Sequence, residues 1–516
     1  VTDPGEPQRA AEGRRAARAA HGRPRQDRSG EARPGGAETP PGGFVAVVRR
    51  HPTAWLASVL AIVFVLLGTG AVFAGVAAGT APAVTPSPTP TPTQTPEPPR
   101  PVPSTVPEAS RLRTCSVDEV AKDPRLADFQ GYVLRADTGE ALFDRKGTVP
   151  ARTGSVLKIL TAAAALAELG PDHQLTTRVV AGPTPGSIVL VGGGDATITR
   201  LGPGQESFYR GAAKLGDLAA QAVSAWAAAN PDQPITEVVL DATLWDPADR
   251  WDAAWKRSEQ EIGYHSEVTA LQVDGDRADP TRNTSPRSTD PIGRAGQFFV
   301  EALRAADTGG VVSGELAVTS GAAPSGAVQL AEVRSRPVSA LVQQMLLVSD
   351  NTIAEMLARV TSRAMGLNGS AASLQQAIPG ALETYGVDTA GLVIKDGSGL
   401  SEFNNVPPSY VAELMVKVIG GDQNLNVLYD GLPIAGQSGS LAARFTGENG
   451  VARGNVIAKT GWIDTAYSLG GVINAKDGTR LTFAFYAIGN VRDDAKLALD
   501  TLTTAVYSCG DNLSNL

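Results

Sequence analysis

The sequence predicts an α+β fold preceded by a single N-terminal transmembrane helix. Three observations predict it. A helix pattern apolar on nearly every face is followed, far along the chain, by three apolar strand patterns and a closing amphipathic helix. Helices and antiparallel strands are therefore segregated in sequence, as α+β folds require. Between the two lies a stretch, residues 181–326, with strands and helices of its own. An uncharged run of 24 residues, Trp55–Ala78, precedes everything that reads as globular.

The chain has 516 residues, 42% of them hydrophobic, enough for two or three domains with real cores. Residues 1–52 are rich in Arg, Gly, Pro, Glu and Ala, with ten arginines against six acids in the first fifty. They predict a disordered cytoplasmic tail. Residues 53–79 predict the membrane helix, because Trp55–Ala78 is long enough to cross a bilayer. Arg49, Arg50 and His51 flank its start and no charge follows before Glu97. Positive charge stays inside, so the chain is expected in the cell membrane, single-pass, with its C-terminal part extracytoplasmic. A cleaved signal peptide is the rival, with Ala81-Pro82-Ala83 as its cut site. The fifty-residue leader and the long apolar run argue against it. Residues 80–109 contain "TPSPTPTPTQTPEPPRPVPS", an extended, semi-rigid spacer.

Beyond the first fifty residues the chain carries 35 basic and 47 acidic residues. That balance excludes nucleic acid as a partner. The cysteines are Cys115 and Cys509 alone, with no C-x-x-C pair, which argues against a thiolate zinc site or redox dithiol. Outside the membrane the two can pair and tie the ends of the globular part together. The four histidines are scattered, no H-E-x-x-H or phosphate loop occurs, and Gly192–Gly194 reads as a turn. No metal and no cofactor are expected.

Within the globular part, "QGYVLRADTGEALFD" alternates about Asp137-Thr138-Gly139, a hairpin signal. Ser155–Leu169 reads as a buried helix stopped by Gly170-Pro171. Residues 181–326 mix strands such as "SIVLVG" and "ITEVVLD" with helices around Leu215–Ala229 and Gly296–Ala306. "VIAKTG", "AYSLGGVINA" and "LTFAFYAIGN" read as strands, the last two joined at Asp477-Gly478, and "RDDAKLALDTLTTAVYS" as the final helix.

The helix pattern "TGSVLKIL" sets Ser155 and Lys158 three residues apart, on one helical face. A serine hydroxyl needs a neighbouring base to become a nucleophile. A desolvated lysine can be neutral and serve as that base. Backbone N–H groups of the first turn can hold an oxyanion. Two further motifs follow in order: Ser349-Asp350-Asn351 between two helix patterns, and Lys459-Thr460-Gly461 at the end of a strand. S-x-x-K, S-D-N and K-T-G in this order form the signature of penicillin-binding proteins and serine β-lactamases.

The 194-residue interval from Ser155 to Ser349 is long for that superfamily. It resembles the class C low-molecular-mass penicillin-binding proteins, the serine D-alanyl-D-alanine carboxypeptidases/endopeptidases. "LVGGGDATIT", "VVLDATLW", "HSEVTALQVDGD", "DGSGLS" and "LPIAGQSGSLAARF" resemble segments of the same group. The likeness runs from about Leu112 to the C-terminus. It implies a penicillin-binding/serine β-lactamase-like domain, an antiparallel sheet flanked by helices, over 110–180 and 327–516, with 181–326 as a large inserted domain. It implies peptidoglycan stem peptides as substrates and β-lactam antibiotics as covalent inhibitors.

By the same resemblance Ser155 is acylated, Lys158 takes its proton, Ser349 relays a proton to the leaving amine, and Asn351 holds the substrate amide and Lys158. Lys459 adds positive charge and Thr460 binds the terminal carboxylate. Gly461 and Trp462 complete the substrate edge, with the Ser155 and Trp462 amides as oxyanion hole. Three positions depart from the pattern: Ala196 stands where proline is usual, Trp462 where a small hydroxyl residue is usual, and Glu402 where a basic one is frequent. Asp396 is expected to be a structural turn residue, His265 a hydrogen-bonded structural histidine, and Trp245, Trp251 and Trp255 core residues, with the lining of a glycan groove as the alternative for the three tryptophans. A β-lactamase or esterase would share the acyl-enzyme step but needs a hydrolytic base, and no E-x-x-L-N motif offers one. A non-catalytic wall-binding protein would not need three intact motifs.

Overall fold

The computed structural model describes residues 111–515. The expected tail (1–52), membrane helix (53–79) and linker (80–109) lie outside the described residues. Among the described residues no helix is long and apolar enough to cross a membrane.

Strands β1 (Cys115–Ser116), β2 (Asp128–Arg135) and β3 (Ala141–Arg145) open the described chain. β2 and β3 form the expected hairpin, with Gly139 at φ +71° in its turn, the left-handed region that glycine enters without cost. The helix Lys158–Leu169 follows. Nine of its residues are buried, and it ends where Gly170 turns to φ +80°. It packs on the helices Asn351–Ala364 and Leu374–Leu382.

The middle of the chain builds one mixed sheet from β4 (Thr176–Ala181), β5 (Ser187–Val191), β6 (Ile235–Asp241), β7 (Val312–Ser320) and β8 (Gln329–Arg334), in the order β7-β6-β5-β4-β8. Parallel neighbours need a crossover. The helices Leu215–Ala229 and Pro291–Ala306 supply them for the pairs β5–β6 and β6–β7. Both helices cover one sheet face and share a core with Ile188, Leu190, Val238 and Leu240. The sheet runs from Thr176 to Arg334 and so straddles the positions 181 and 326.

The C-terminal part supplies β9 (Val456–Ile463), β10 (Ala466–Asn474) and β11 (Arg480–Ile488), an antiparallel meander with β9 at its edge. β2 lies beside β11, joined through the Ala136 N–H to Arg480 O bond of 2.9 Å. β10 is buried along nearly its whole length. Its alternate residues serve two cores: Leu469 and Ile473 face one and Val472 the other. The first core contains the terminal helix Ala495–Cys509 and a ring cluster in which Phe485 lies 5.8 Å from Phe129 and 4.9 Å from Phe483. Truncating one such ring costs about 3–5 kcal/mol. The second core holds the helical layer that carries Ser155 and Lys158. The chain closes with β12 (Leu513–Ser514), parallel to β1. Beside it Cys115 and Cys509 form the expected disulfide, with Cα atoms 5.5 Å apart.

Candidate active site

The site forms where the start of the buried helix meets the outer edge of β9. Ser155 lies on a 3₁₀ turn, Gly154–Leu157, and the α-helix proper begins at Lys158. The turn exists because Gly154 adopts φ +50°. A Cβ on Gly154 would sit 2.8 Å from the backbone nitrogen of Trp462. A Cβ on Gly461 would sit 3.0 Å from the nitrogen of Ser155, and closer still to Thr153 O and Ser468 Oγ. Two glycines therefore let nucleophile loop and strand edge touch, backbone to backbone. The Ser155 and Trp462 amides are neighbours as a result.

Lys158 is fully buried. Its Nζ lies 3.0 Å from Ser155 Oγ, 2.7 Å from Asn351 Oδ1 and 2.6 Å from Ser398 O. Burial pulls its pKa down to about 8, although Asp396, Glu355 and Asp350 nearby favour the charged form.

The second motif caps two helices at once. Ser349 ends the helix Val338–Val348 at φ +60°, a strained conformation for a residue with a side chain. Asp350 caps the next helix by accepting from Ile353 N at 2.9 Å. Its other oxygen accepts from Arg277 at 2.9 Å and from Tyr209 Oη at 3.1 Å, both from the middle of the chain. Arg277 and Asp350 are both buried. Asn351 opens the helix and donates to Tyr264 O at 3.3 Å.

Lys459 is also fully buried. It is turned toward Ser349 Oγ (2.8 Å) and Thr460 O (2.9 Å) rather than into the cleft. Burial first, and then the charge of Lys158, hold its pKa well below the usual lysine range. Thr460 Oγ1 lies 2.7 Å from Ser440 Oγ. Trp462 is 49% exposed, with its ring 6.3 Å from that of Tyr467.

A cleft of about 470 Å³ opens over these groups. Ser155, Ser349, Asn351, Thr460, Gly461 and Trp462 line it, and the two lysines lie beneath. All eight residues singled out from the sequence thus come together. Residues that sequence reasoning left unassigned also contribute. Ser440 stands inside the stretch "LPIAGQSGSLAARF", while Glu259 and Tyr264 reach the cleft from the middle of the chain. Trp255, expected in the core, is buried and also lines the cleft.

Asp396 is the structural turn residue expected. Its carboxylate accepts from Gly399 N, Ser401 N, Asn404 Nδ2 and Trp255 Nε1 at 2.6–2.9 Å. Trp245 and Trp255 are buried and Trp251 is half-buried. His265 differs from expectation. It is buried, but neither ring nitrogen has a hydrogen-bond partner among the described residues. Packing holds it instead, with the Trp255 ring edge-on at 4.5 Å and Trp251 at 5.6 Å. Glu402 is not a bare acid: it pairs with Arg152 at 2.9 Å.

The pattern described as the D-Ala-D-Ala carboxypeptidase 3 (S13) family matches residues 113–286 and 277–506. A carboxypeptidase of Mycobacterium tuberculosis is 36% identical over 406 residues, 77% of this chain and 84% of that protein. The carboxypeptidase DacB of Mycolicibacterium smegmatis is 33% identical over 395 residues, 75% of this chain and 82% of that protein. Among solved structures, penicillin binding protein 4 (dacB) from Haemophilus influenzae shares the fold. Its TM-score is 0.60 at 19% identity, covering 76% of this chain and 98% of that one. With its three motifs gathered at one cleft, the chain belongs to the D-Ala-D-Ala carboxypeptidase 3 (S13) family, the class C low-molecular-mass penicillin-binding proteins.

Proposed function

We propose that the protein is a serine D-alanyl-D-alanine carboxypeptidase/endopeptidase that acts on peptidoglycan stem peptides and is acylated by penicillins. The three contacts of Lys158 carry this reading. A neutral amine has two hydrogens and one lone pair. Asn351 Oδ1 and Ser398 O, at 2.7 and 2.6 Å, take the two hydrogens. The lone pair then faces Ser155 Oγ–H at 3.0 Å, ready to accept its proton.

Ser155 Oγ attacks the D-Ala–D-Ala carbonyl carbon as its proton passes to Lys158. The oxyanion is held by the Ser155 and Trp462 amides. When the C–N bond breaks, the proton returns to the leaving nitrogen by way of Ser349, whose Oγ accepts from Lys459 and keeps its own hydrogen free. Water then adds its hydroxyl to the acyl carbon and returns its proton to Ser155. Thr460 on β9 and Ser440 on the 3₁₀ turn Gly439–Leu441 face the terminal carboxylate.

In this reading residues 110–180 and 327–516 form the catalytic domain, and 181–326 the inserted one. The five-stranded sheet has a core of its own, which favours a separate middle unit, but that core includes Val179 and Ala331 and so moves the boundaries outward, to about Thr176 and Arg334. The charge asymmetry around Trp55–Ala78 supports anchorage in the cell membrane with the catalytic part outside. Protease added to intact protoplasts is expected to remove the catalytic part and spare the arginine-rich tail. The function itself is tested by intact mass after incubation with penicillin, followed by peptide mapping and digestion of a defined muropeptide. One adduct on the peptide containing Ser155 and release of D-alanine are expected. Full labelling of Ser155→Ala would sink the assignment.

A further inference from the structure

Glu355 is 1% exposed and lies one helical turn beyond Asn351. Its Oε1 accepts from Gly397 N at 3.0 Å and from Ser398 N at 2.7 Å. Ser398 is the residue whose carbonyl meets Lys158. Thr161 Oγ1, on the helix that begins with Lys158, holds the carbonyl of Gly397 at 2.6 Å. The loop can lie this close because residue 397 is glycine: a Cβ there would fall 2.6 Å from Ala358 Cβ and 2.8 Å from Ala354 O. The mechanism above gives Glu355 no part.

We propose that Glu355 is a positioning residue for the nucleophilic site. It clamps the Gly397–Ser398 peptide so that the Ser398 carbonyl orients Lys158, and its carboxylate charge sets how firmly Lys158 holds a proton. This rests on the reading that Lys158 takes the proton of Ser155.

A glutamine would satisfy both N–H groups through one oxygen and lose only the second acceptor of Gly397 N, Oε2 at 3.1 Å, so only the weaker arm of the clamp calls for an acid. A buried carboxylate is costly and needs a counterpart. The cation that offsets it is Arg359 on the same helix, and Lys158, fully desolvated, feels the charge of Glu355 in turn. Burial alone would drive Lys158 toward a permanently neutral, weakly basic amine, and nearby negative charge draws it back toward the working range. The charged groups around Glu355 are few. On its own helix Asp350 is paired with Arg277, and Arg359 is held by Asp249 at 2.8 Å. The 396–401 loop brings Asp396, and the opposing helix brings Lys158, with Lys459 beyond it. From the middle of the chain come Trp255 and His265, the latter kept neutral by burial. Burial and the neighbouring Asp396 raise Glu355 itself to about 7. Where Glu355 is ionised, its charge raises the pH at which Lys158 becomes a free base.

The test is the second-order rate of penicillin acylation of the full chain from pH 5 to 10, read by mass, with thermal midpoints recorded for every variant. In Glu355→Gln the clamp survives and the charge is lost. Its acid limb is expected to move down by about one pH unit. In Glu355→Ala clamp and charge are both lost, so the plateau rate is expected to fall on the order of a hundredfold, as for a misplacement of about 1 Å, with the limb moved as in Glu355→Gln. Glu355→Asp keeps the charge and withdraws the clamp by one methylene. It should lose rate with the parent's limb, and it serves where the glutamine variant does not fold. A glutamine variant with the parent's limb, or an aspartate variant with a shifted one, overturns the charge role. An alanine variant at the parent's rate overturns the clamp. A parent that is not acylated at Ser155 overturns the proposed function as well, which separates the two failures.

Discussion

Gly154→Ala is the sharpest test of how the site is assembled. The substitution adds one methyl group and removes no functional atom. At φ +50° a left-handed alanine costs about 1–2 kcal/mol. The new Cβ would stand 2.8 Å from Trp462 N, 3.2 Å from Gly461 C and 3.3 Å from Gly461 Cα. All three are backbone atoms, so no side chain can rotate away. Carbon contacts are relaxed at about 3.5–4.0 Å, so loop and β9 must part by most of an ångström. Overpacking of this kind costs about 1–3 kcal/mol more. The same displacement pulls Ser155 from the Trp462 amide, which is expected to slow acylation on the order of a hundredfold. Gly139→Ala is the control, because its φ is +71° and nothing lies within 4 Å of the added Cβ. It should lose the backbone part of the stability and none of the rate. Denaturant melts and stopped-flow acylation measure the two effects separately. If Gly154→Ala acylates at the parent's rate while its stability falls, close approach of the two backbones is not what builds the site.

Three further expectations follow from the same geometry. Replacing Cys115 and Cys509 by serine opens a loop of 394 residues in sequence separation; the chain-entropy account gives on the order of 5 kcal/mol, and alkylation of the parent protein without reductant should label neither cysteine. Arg277→Met leaves Asp350 as an unpaired buried charge, a loss of about 3–5 kcal/mol; a melting temperature within a degree of the parent's would show that the pair is not needed. Acylation should rise with pH through the lowered pKa of Lys158, about 8, because the neutral amine is the working base; a rate already flat from pH 6 upward would exclude that role.

What the sequence made legible was local. Ser155 and Lys158 share a helical turn, Asp350 and Asn351 sit at a cap, and Lys459 to Trp462 lie on one strand, so spacing alone placed each group on its element. The hairpin at Gly139 was legible because its apolar residues alternate, and the meander from Val456 to Ile488 because its strands are near-continuous apolar runs, the last two parted at Asp477-Gly478. β7 was not, since its residues are mostly exposed and carry no apolar rhythm. The parallel pairing of β5, β6 and β7 depends on which face the crossover helices cover, and that is decided by packing. The contact of Arg277 with Asp350 spans 73 residues and leaves no local pattern. The idle nitrogens of His265 were unforeseeable for the same reason: two tryptophan rings occupy the space in which a polar partner would be expected.

These long-range contacts alter what the middle of the chain is for. An inserted domain reads in sequence as an accessory, yet the segment from Tyr209 to Arg277 supplies structure that the three motifs lack. Arg277 and Tyr209 hold Asp350, and Asp350 caps the helix on which Asn351 meets Lys158. The Tyr264 carbonyl receives the other end of Asn351, and the Trp255 indole holds Asp396 at 2.9 Å, in the loop that ends at the Ser398 carbonyl. Each of the two oxygens that accept hydrogens from Lys158 is therefore braced from the middle segment. A motif-complete chain without that segment would keep Ser155 and both lysines. It would lose the fixed acceptors that aim the lysine lone pair, and with them the difference between a buried cation and a base.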